Sequence, residues 1–566
     1  MRTFSASVAG CLACAALLIS SATTGGAQSL ATNDTQYLTF QIFTASPGFT
    51  TEAGKHVLSR LPGPTFFDDE AKQLLDAIGE RGDERHRLGI MVGPLALDYT
   101  DAQLRTLVER TFAVASKYKI AVGLHIDDSK FWMNRRDLWT DHANVEWLDW
   151  SGTPNTGQYL NWGGGPWKLA PQACLNSPAM IKEARRLAGG VIGPAIAKGL
   201  ANLRSTGDEA LFAGVIVGWE TAIGRDFDTG RDLGYCALTN LGLTAKSPPA
   251  DIDGALESVV QNWLETWSSS LAAAGVPSDK IYSHIAFAPK RQFDDAHRSA
   301  GGSYARSVLY TPPQVAFGET HRPGFSTYPD PDRFREIYAA LASHGNPHWA
   351  SSEGANIDIN VWPYAIPQET MENYLARMFN HGATLTNVFG WDIGDSTFIF
   401  RRQAENPAAI DAYRKFLRGA RLDESPLDQS SSSEVTRLRT FVKTLPERIQ
   451  SYLRAGGKMA IVQPMLGKLD QNVKAGQFDA INRDMDQIEA TIDAQLAKGG
   501  AGFDLVAAVQ QRMRALPQQI ASFQRRNGDI NRIKPRLESI QKHIAAGELV
   551  NAYDEIQALE PILESP

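Results

Sequence analysis

The chain has 566 residues and a formal net charge of −7, and its 12 tryptophans are unevenly distributed. A chain of this length is too long for a single hydrophobic core, so we expect two or more domains. The basic residues are scattered and form no concentrated basic stripe, which argues against nucleic acid as a partner.

Residues 1–27 have the pattern of a cleaved export signal. Arg2 supplies a positive start, residues 8–19 form an apolar stretch, and small residues lead to a cleavage site after Ala27. An uncleaved membrane anchor is the alternative, but the apolar stretch is short for a bilayer span. No later stretch reaches the roughly 20 consecutive apolar residues of a membrane-spanning helix. The sequence therefore predicts a secreted or periplasmic protein without a membrane span.

Residues 28–425 alternate between short apolar runs and amphipathic helical stretches. Most runs are continuously apolar, as is typical of parallel strands covered on both faces. The predicted strands are residues 37–44, 88–92, 120–125, 212–219, 281–287, 315–317, 348–352 and 384–389. The alternation predicts an α/β fold, a (β/α)8 TIM barrel with enlarged loops. A doubly wound open sheet is the alternative, which the lack of a glycine-rich nucleotide loop after the first strand disfavours.

Helical patterns fall between most of these strands. The predicted helices are residues 68–78, 101–118, 177–203, 252–274, 332–343 and 368–380. Several open with a residue that caps helices, such as Thr100 or Ser177. No clear helix is predicted between the fifth and sixth strands.

The remaining chain is predicted to be a separate helical domain. A Ser-rich linker occupies residues 426–434, and residues 435–566 contain two copies of one pattern, offset by 71 residues. Leu445 matches Leu516 and Gly457 matches Gly528 at that offset, without a gap. Each copy predicts two or three helices, with a turn at the Ala-Gly pairs of residues 475–476 and 546–547. We expect an all-α helical bundle that mediates protein or envelope contacts and has no chemistry of its own.

Polar residues that directly follow the apolar runs are the candidate site residues, because TIM barrels carry their active sites at the carboxyl ends of the strands. A glutamate at the end of a buried strand is costly unless it is paired or used. The candidates at the strand ends and on nearby loops are Gln41, His125, Asp127, Asp128, Trp219, Glu220, His284, Glu319, Tyr328, Glu353, Trp391 and Asp392.

Three of these candidates are glutamates at predicted strand ends. Glu220 and Glu353 follow the fourth and seventh strands, which lie roughly across the barrel mouth from each other. Glycoside cleavage needs two carboxyl groups on opposite sides of the scissile bond, one of them with a raised pKa. Glu319 is predicted as an alternative or orienting carboxylate.

This arrangement resembles the retaining (β/α)8 glycoside hydrolases of clan A, over roughly residues 36–420. The resemblance implies that Glu220 is the acid/base with a raised pKa, that Glu353 is an ionised nucleophile, and that Trp391 stacks on the sugar. Most members of the clan carry Asn directly before the acid/base glutamate, whereas this chain has Trp219. No metal or organic cofactor is expected.

A tryptophan-rich segment, residues 127–175, follows the third predicted strand. It contains six of the 12 tryptophans, and Trp132, Trp162 and Trp167 are the predicted contacts to a sugar. The alternative is that these rings form the packed core of the insertion. Cys174 ends the segment and Cys236 follows the fourth strand, so an exported chain permits either a disulfide or two buried thiols.

These residues predict a secreted glycoside hydrolase that cleaves an oligo- or polysaccharide with two glutamates. A non-catalytic carbohydrate-binding barrel of the cell envelope is one alternative, favoured by the missing Asn before Glu220. A metal-dependent hydrolase using His125, Asp127 and Asp128 is the other, since His and carboxylate groups suit several metals.

Overall fold

The computed structural model describes residues 34–44, 61–160, 167–287, 311–356, 369–389, 406–427, 433–474, 478–498, 505–526, 529–545 and 549–564. The predicted export signal lies outside the described residues, as do Trp162, Trp391 and Asp392. The chain divides into two compact units, and the boundary falls between Ser425 and Pro426. None of the described helices combines the length and apolarity that a membrane span requires.

The first unit contains a parallel barrel. Its strands are β1 (Gln36–Phe43), β2 (His86–Ala96), β3 (Ala121–Asp127), β4 (Phe212–Val217), β5 (Ile281–Ser283), β6 (Gly324–Ser326), β7 (Trp349–Gly354) and β8 (Ala383–Val388). They pair in the order β5-β4-β3-β2-β1-β8-β7-β6. Parallel bridges from Tyr282 to Arg322 and from Ile285 to Phe325 join β5 to β6 and close the sheet. The predicted (β/α)8 barrel is therefore confirmed.

The sixth strand lies later in the chain than predicted. Val315 falls within a 3-10 turn, Pro313–Ala316, and the strand is Gly324–Ser326. A side chain at Gly324 would collide with the carbonyl oxygen of Ser283 and the hydroxyl of Ser352, so the close approach of neighbouring strands requires glycine. Because this strand is short and not continuously apolar, its sequence carries no strand pattern.

Helices surround the barrel. They are α1 (Phe66–Ile78), α2 (Asp101–Tyr118), α3 (Arg136–Trp139), α4 (Pro178–Leu187), α5 (Gly193–Ser205), α6 (Tyr235–Asn240), α7 (Ile252–Ala273), α8 (Pro331–Ser343), α9 (Met371–Phe379) and α10 (Pro407–Leu417). Thr100 and Gln103 form a capping box at α2, and the Ser177 side chain caps α4. A π-helical turn, Ala188–Ile192, joins α4 to α5.

Side chains fill the barrel interior. One buried cluster draws residues from seven of the eight strands, including Tyr37, Met91, Ile216, Tyr282 and Leu385. The interior is therefore a packed core rather than a pore, and chemistry is confined to the carboxyl ends of the strands.

The second unit is all α-helical. Its helices are α11 (Ser433–Arg454), α12 (Met459–Lys474), α13 (Phe478–Lys498), α14 (Leu505–Arg525), α15 (Lys534–Ala545) and α16 (Leu549–Glu564). Two separate hydrophobic cores form, one in α11–α13 and one in α14–α16. Leu469 and Ile488 in the first core correspond to Ile540 and Leu559 in the second, at the predicted offset of 71 residues. The duplicated sequence thus folds as two three-helix bundles.

Candidate active site

Glu220 lies in a tight turn just beyond the end of β4. Its side chain is buried, and its backbone φ of 55° is in the left-handed region, which residues with a side chain rarely occupy. Such a conformation persists only when surrounding contacts enforce it, and it is common at active sites. We therefore expect contacts from neighbouring residues to impose the backbone conformation of Glu220.

The loop after β3 supplies those neighbours. The carboxylate of Asp128 accepts hydrogen bonds from the Trp219 amide at 3.3 Å and the Thr221 hydroxyl at 2.8 Å. The ammonium of Lys130 donates to the backbone carbonyl oxygen of Glu220. Both Asp128 and Lys130 are buried, so these contacts are shielded from water.

Glu353 lies within β7, on the other side of the site, and is also buried. The hydroxyl of Tyr328 donates a hydrogen bond to its Oε1 at 2.7 Å. Burial raises the pKa of Glu353 well above its ordinary value, and the negative charge of Glu220 raises it further. The Tyr328 hydrogen bond and the Lys130 ammonium oppose that rise in pKa. The structure therefore brings the two glutamates into one electrostatically coupled site.

The protonation of this pair differs from the sequence expectation, in which Glu353 is simply ionised at neutral pH. Full burial disfavours the charged form of Glu353, and two negative charges in one buried site repel each other. The pair therefore retains a proton to higher pH than isolated carboxyls would. The sequence shows that Glu353 follows a strand, but it does not show how deeply its carboxyl is buried.

Five polar side chains form a buried network at the same end of the barrel. Asn387 donates to Gln41 Oε1 at 2.9 Å, and His125 Nδ1 lies 3.0 Å from the same oxygen. His125 Nε2 lies 3.1 Å from His284 Nδ1, and His284 Nε2 lies 2.9 Å from Ser326 Oγ. Burial lowers the pKa of His125 to about 3 and that of His284 well below its ordinary value, so both rings are neutral at neutral pH.

This network lies deeper in the barrel than Glu220. His125 pairs with Ile216 of β4, four positions before Glu220. Gln41, His125 and His284, predicted as substrate contacts, bind one another and are fully buried. Hydrogen bonds link the network to the strand ends that carry the glutamates. His125 Nε2 lies 2.9 Å from the Gly218 carbonyl oxygen, and Asn387 donates to the Ser352 carbonyl oxygen at 2.9 Å.

The remaining candidates of the third strand have protein partners. Asp127 accepts hydrogen bonds from the backbone amides of Ser129, Lys130 and Phe131, and burial raises its pKa to about 7. Asp128 and His125 bind other partners, so the three side chains proposed as metal ligands do not converge. Among the described residues, no group of three or more His, Cys, Asp or Glu side chains has the arrangement of a metal site.

Glu319 is not brought to the pair. Because the sixth strand begins only at Gly324, Glu319 precedes that strand and lies at the amino-terminal end of the barrel. It is exposed, and its backbone amide donates to Glu265 of α7 at 3.1 Å. Glu319 is therefore remote from the carboxyl ends of the strands, which corrects its assignment as an alternative or orienting carboxylate.

The tryptophans of the insertion are partly structural. Trp132 is fully buried, and its indole N–H donates to the carbonyl oxygen of Pro171 at 2.8 Å. Trp167 begins a two-residue strand, Trp167–Lys168, which pairs with Tyr159–Leu160. Trp219 packs against the ring of His125 at a centroid distance of 4.2 Å. Trp132 thus belongs to the core of the insertion, and Trp219 supports the turn that carries Glu220.

A disulfide joins the insertion to α6. Cys174 and Cys236 are bonded, with their Cα atoms 6.0 Å apart. Beside the bond, the buried carboxyl of Glu146 accepts the backbone amides of Cys236 at 3.2 Å and Ala237 at 3.4 Å. Burial raises the pKa of Glu146 to about 8. The anchor of this insertion therefore contains an acid that is protonated at neutral pH.

Glu146 should make stability depend on pH. Its pKa is raised from 4.5 to about 8 in the folded protein, so the folded state holds the proton more tightly than the unfolded state. The stabilisation is complete below about pH 4.5 and is lost as pH rises towards 8, at up to about 1.4 kcal/mol per pH unit. Glu146→Gln should flatten this decline in denaturant unfolding curves measured from pH 5 to 8.5.

Glu183 is the control for that experiment, because its arginine partners lower its pKa. Glu183→Gln should leave the decline above pH 5 unchanged, since the stabilisation by Glu183 is lost only at lower pH. An equal decline in the wild type and Glu146→Gln would show that Glu146 does not titrate in this range.

Three residues of the site were not predicted from the sequence: Lys130, Ser326 and Asn387. Lys130 lies in the sequence DDSKFW. A lysine close to two acidic and two aromatic residues was the one sequence feature that pointed to a role for it in the site. Ser326 could not be found because its strand was misplaced. Asn387 lies inside a fully buried strand, and an amide side chain there was the signal.

Comparisons with known proteins show only distant similarity. No family model and no curated protein matches the chain. One similar solved structure is a native Bacteroidetes-affiliated GH5 cellulase linked with a polysaccharide utilization locus, at 10% identity and a TM-score of 0.31, covering 71% of this chain and 95% of that chain. Another is an alpha-amylase from Malbranchea cinnamomea, at 10% identity and a TM-score of 0.27, covering 72% and 77%. Similarity this distant identifies neither a family nor a substrate.

Proposed function

We propose that this chain is an exported, retaining glycoside hydrolase, with Glu220 as the acid/base and Glu353 as the nucleophile. One observation supports the proposal: the carboxyls at the ends of β4 and β7 are both buried, and the charge of Glu220 raises the pKa of Glu353. Such pairs suit acid–base chemistry, because one group can hold a proton while the other is charged.

The proposed reaction takes place in two steps. Glu220 protonates the leaving oxygen while Glu353 attacks the anomeric carbon, which forms a covalent glycosyl-enzyme intermediate. Glu220 then removes a proton from water, and the water displaces Glu353. Two carboxyls about 5–5.5 Å apart are required for this geometry.

Two neighbours favour the charged form of Glu353 that attacks. The Tyr328 hydroxyl donates a hydrogen bond to Oε1, and this bond lowers the pKa of Glu353. The Lys130 ammonium favours the negative charge of Glu353. Since burial alone opposes ionisation, these two groups set the pH at which the nucleophile becomes available.

The other parts of the proposal follow from the sequence. The pattern of residues 1–27 supports export, and the tryptophan-rich insertion supports a carbohydrate as the substrate. We assign the paired three-helix bundles a role in protein or envelope contacts. None of these assignments requires a nucleic acid, an organic cofactor or a metal.

The experiment that tests the proposal is a hydrolysis screen with chromogenic glycosides and bacterial polysaccharides. For any substrate cleaved, proton NMR of the first-formed sugar should show the same anomeric configuration as the substrate. An inverted product would instead require carboxyls roughly 6.5–9.5 Å apart and would overturn the retaining mechanism. Polysaccharide binding by the folded protein without any hydrolysis would favour the carbohydrate-binding barrel, which Trp219 in place of Asn also suggests.

A further inference from the structure

We propose that Asp128 and Lys130 are positioning residues that hold Glu220 in its left-handed conformation and so aim its carboxyl at the reacting bond. The inference rests on the proposed glycosidase function and assigns a further role within that site. The sequence placed Asp128 among the substrate contacts and gave Lys130 no role.

The carboxylate of Asp128 is fully engaged by protein donors. Oδ1 accepts from the Trp219 amide and from the Ser129 hydroxyl, both at 3.3 Å. Oδ2 accepts from the Thr221 hydroxyl at 2.8 Å and from the indole N–H of Trp263 at 2.7 Å. Two of the four donors belong to the residues on either side of Glu220. Asp128 therefore holds the turn through hydrogen bonds from the residues on both sides of Glu220.

Trp263 connects Asp128 to a helix that packs around the barrel. It lies in α7, is almost fully buried and packs edge-to-face against Trp267 of the same helix. Its bond to Asp128 therefore ties the loop after β3 to a helix on the outside of the barrel. Sites held by helices and strands keep their geometry better than sites held by loops alone.

Lys130 completes the contact at Glu220 itself. Its ammonium, almost fully buried, donates to the Glu220 carbonyl oxygen, so residues 219, 220 and 221 each form a hydrogen bond with one short loop. A buried ammonium is costly unless negative groups surround it. Burial lowers the pKa of Lys130, and the negative charges of Glu220, Asp128, Asp127 and Glu353 oppose that fall. Lys130 therefore restrains the turn and also interacts electrostatically with both glutamates.

These contacts offset a conformational cost. A side chain in the left-handed region costs on the order of 1–2 kcal/mol relative to ordinary conformations. Without the contacts from Asp128 and Lys130, the backbone of Glu220 should relax and move the carboxyl away from its present direction. A displacement of about 1 Å at a reacting group lowers a rate by roughly 10²-fold.

The test compares Asp128→Asn, Lys130→Met and the conservative Lys130→Arg with the wild type. Asp226→Asn is the matched control: Asp226 is a buried aspartate in the loop after β4 whose carboxylate accepts hydrogen bonds from Thr156 and Thr229. Trp263→Phe is a milder variant that removes one donor to Asp128, in case Asp128→Asn does not fold. Thermal unfolding of each variant establishes that it folds.

We expect kcat to fall about 10²-fold in Asp128→Asn, with KM changed less than about threefold, because positioning acts on the transition state. Trp263→Phe should show a smaller loss in kcat. Asp226→Asn should retain wild-type kcat. Lys130→Met should raise the titration midpoint of the Glu353 carboxyl, measured by carbon-13 NMR, whereas Lys130→Arg should restore it because the positive charge is kept.

Crystal structures of Asp128→Asn and Lys130→Met provide a readout that needs no substrate. The inference predicts that the φ of Glu220 leaves the left-handed region in at least one of them. It is overturned if both variants keep that φ near 55° and the Glu353 titration is unmoved by Lys130→Met. Loss of the proposed function is a separate result, because an inactive wild type would still give these two structural readouts.

Discussion

Glu353→Gln should lower kcat by roughly 10³-fold or more on every substrate, because no group remains to form the glycosyl-enzyme bond. The fold should remain intact, since glutamine has nearly the same shape and its carbonyl oxygen can still accept the Tyr328 hydrogen bond. The raised pKa of Glu353 makes its ionised form unfavourable in the folded protein. A neutral amide should therefore leave the free energy of unfolding at pH 8 equal to or higher than that of the wild type.

Glu319→Gln is the matched control in the same barrel. Glu319 is exposed and lies at the amino-terminal end of the strands, so this variant should keep kcat within about twofold of the wild type. Measured kcat values for the two variants, with unfolding curves at pH 8, decide the assignment. A Glu353→Gln variant that turns over at near-normal rates would remove Glu353 from the mechanism.

Glu220→Gln should show a loss that depends on the leaving group. A sugar or alkoxide leaving group needs a proton as the bond breaks, so cleavage of such glycosides should fall by about 10²–10⁴-fold. A dinitrophenyl leaving group departs without protonation, so the first step on an activated dinitrophenyl glycoside should be almost unchanged. Burst kinetics on the activated substrate would reveal an intermediate that accumulates because its hydrolysis lacks the base.

The same variant should shift the pH dependence of kcat/KM. In the proposed mechanism the active form carries a proton on Glu220 and a negative charge on Glu353, so the basic limb of the profile reports loss of the Glu220 proton. That limb should disappear in Glu220→Gln, because glutamine has no proton to lose in this pH range. If activated glycosides lose as much activity as unactivated ones, and Glu353→Gln shows the dependence on leaving group instead, the two roles are exchanged.

Much of the barrel could be predicted from local pattern. Strands β1–β4, β7 and β8 are buried on both faces, and the mostly apolar runs of β2, β3 and β4 marked those strands directly. β7 and β8 include serine or threonine residues and were recognised from short stretches that precede a charged residue. The capped helices α2 and α4 begin within one residue of the predicted starts, because the side chains of Thr100 and Ser177 supply the hydrogen bonds that begin a helix. The duplication in the helical unit was visible for a related reason: each copy must bury the same stripe of apolar residues.

The failures have a common physical origin. The sixth strand was misplaced because the apolar residues 315–317 are buried without forming a strand. The strand is Gly324–Ser326 instead, where glycine allows the backbones of neighbouring strands to approach closely. That shift moved Glu319 from the catalytic end of the barrel to the opposite end. The role of Lys130 was missed because its partner is the Glu220 carbonyl, 90 positions away in the chain.

The sequence by itself determined the barrel strands other than the sixth and the helical repeats, and it placed Glu220 and Glu353 at the ends of their strands. These properties depend on short-range patterns of burial and capping, which are written along the chain. Only the tertiary structure decided that Glu319 is remote, that Gln41, His125 and His284 bind one another, and that Asp128 and Lys130 hold the turn of Glu220. It also decided the protonation of the glutamate pair, because a pKa depends on the charges and the burial that folding brings together.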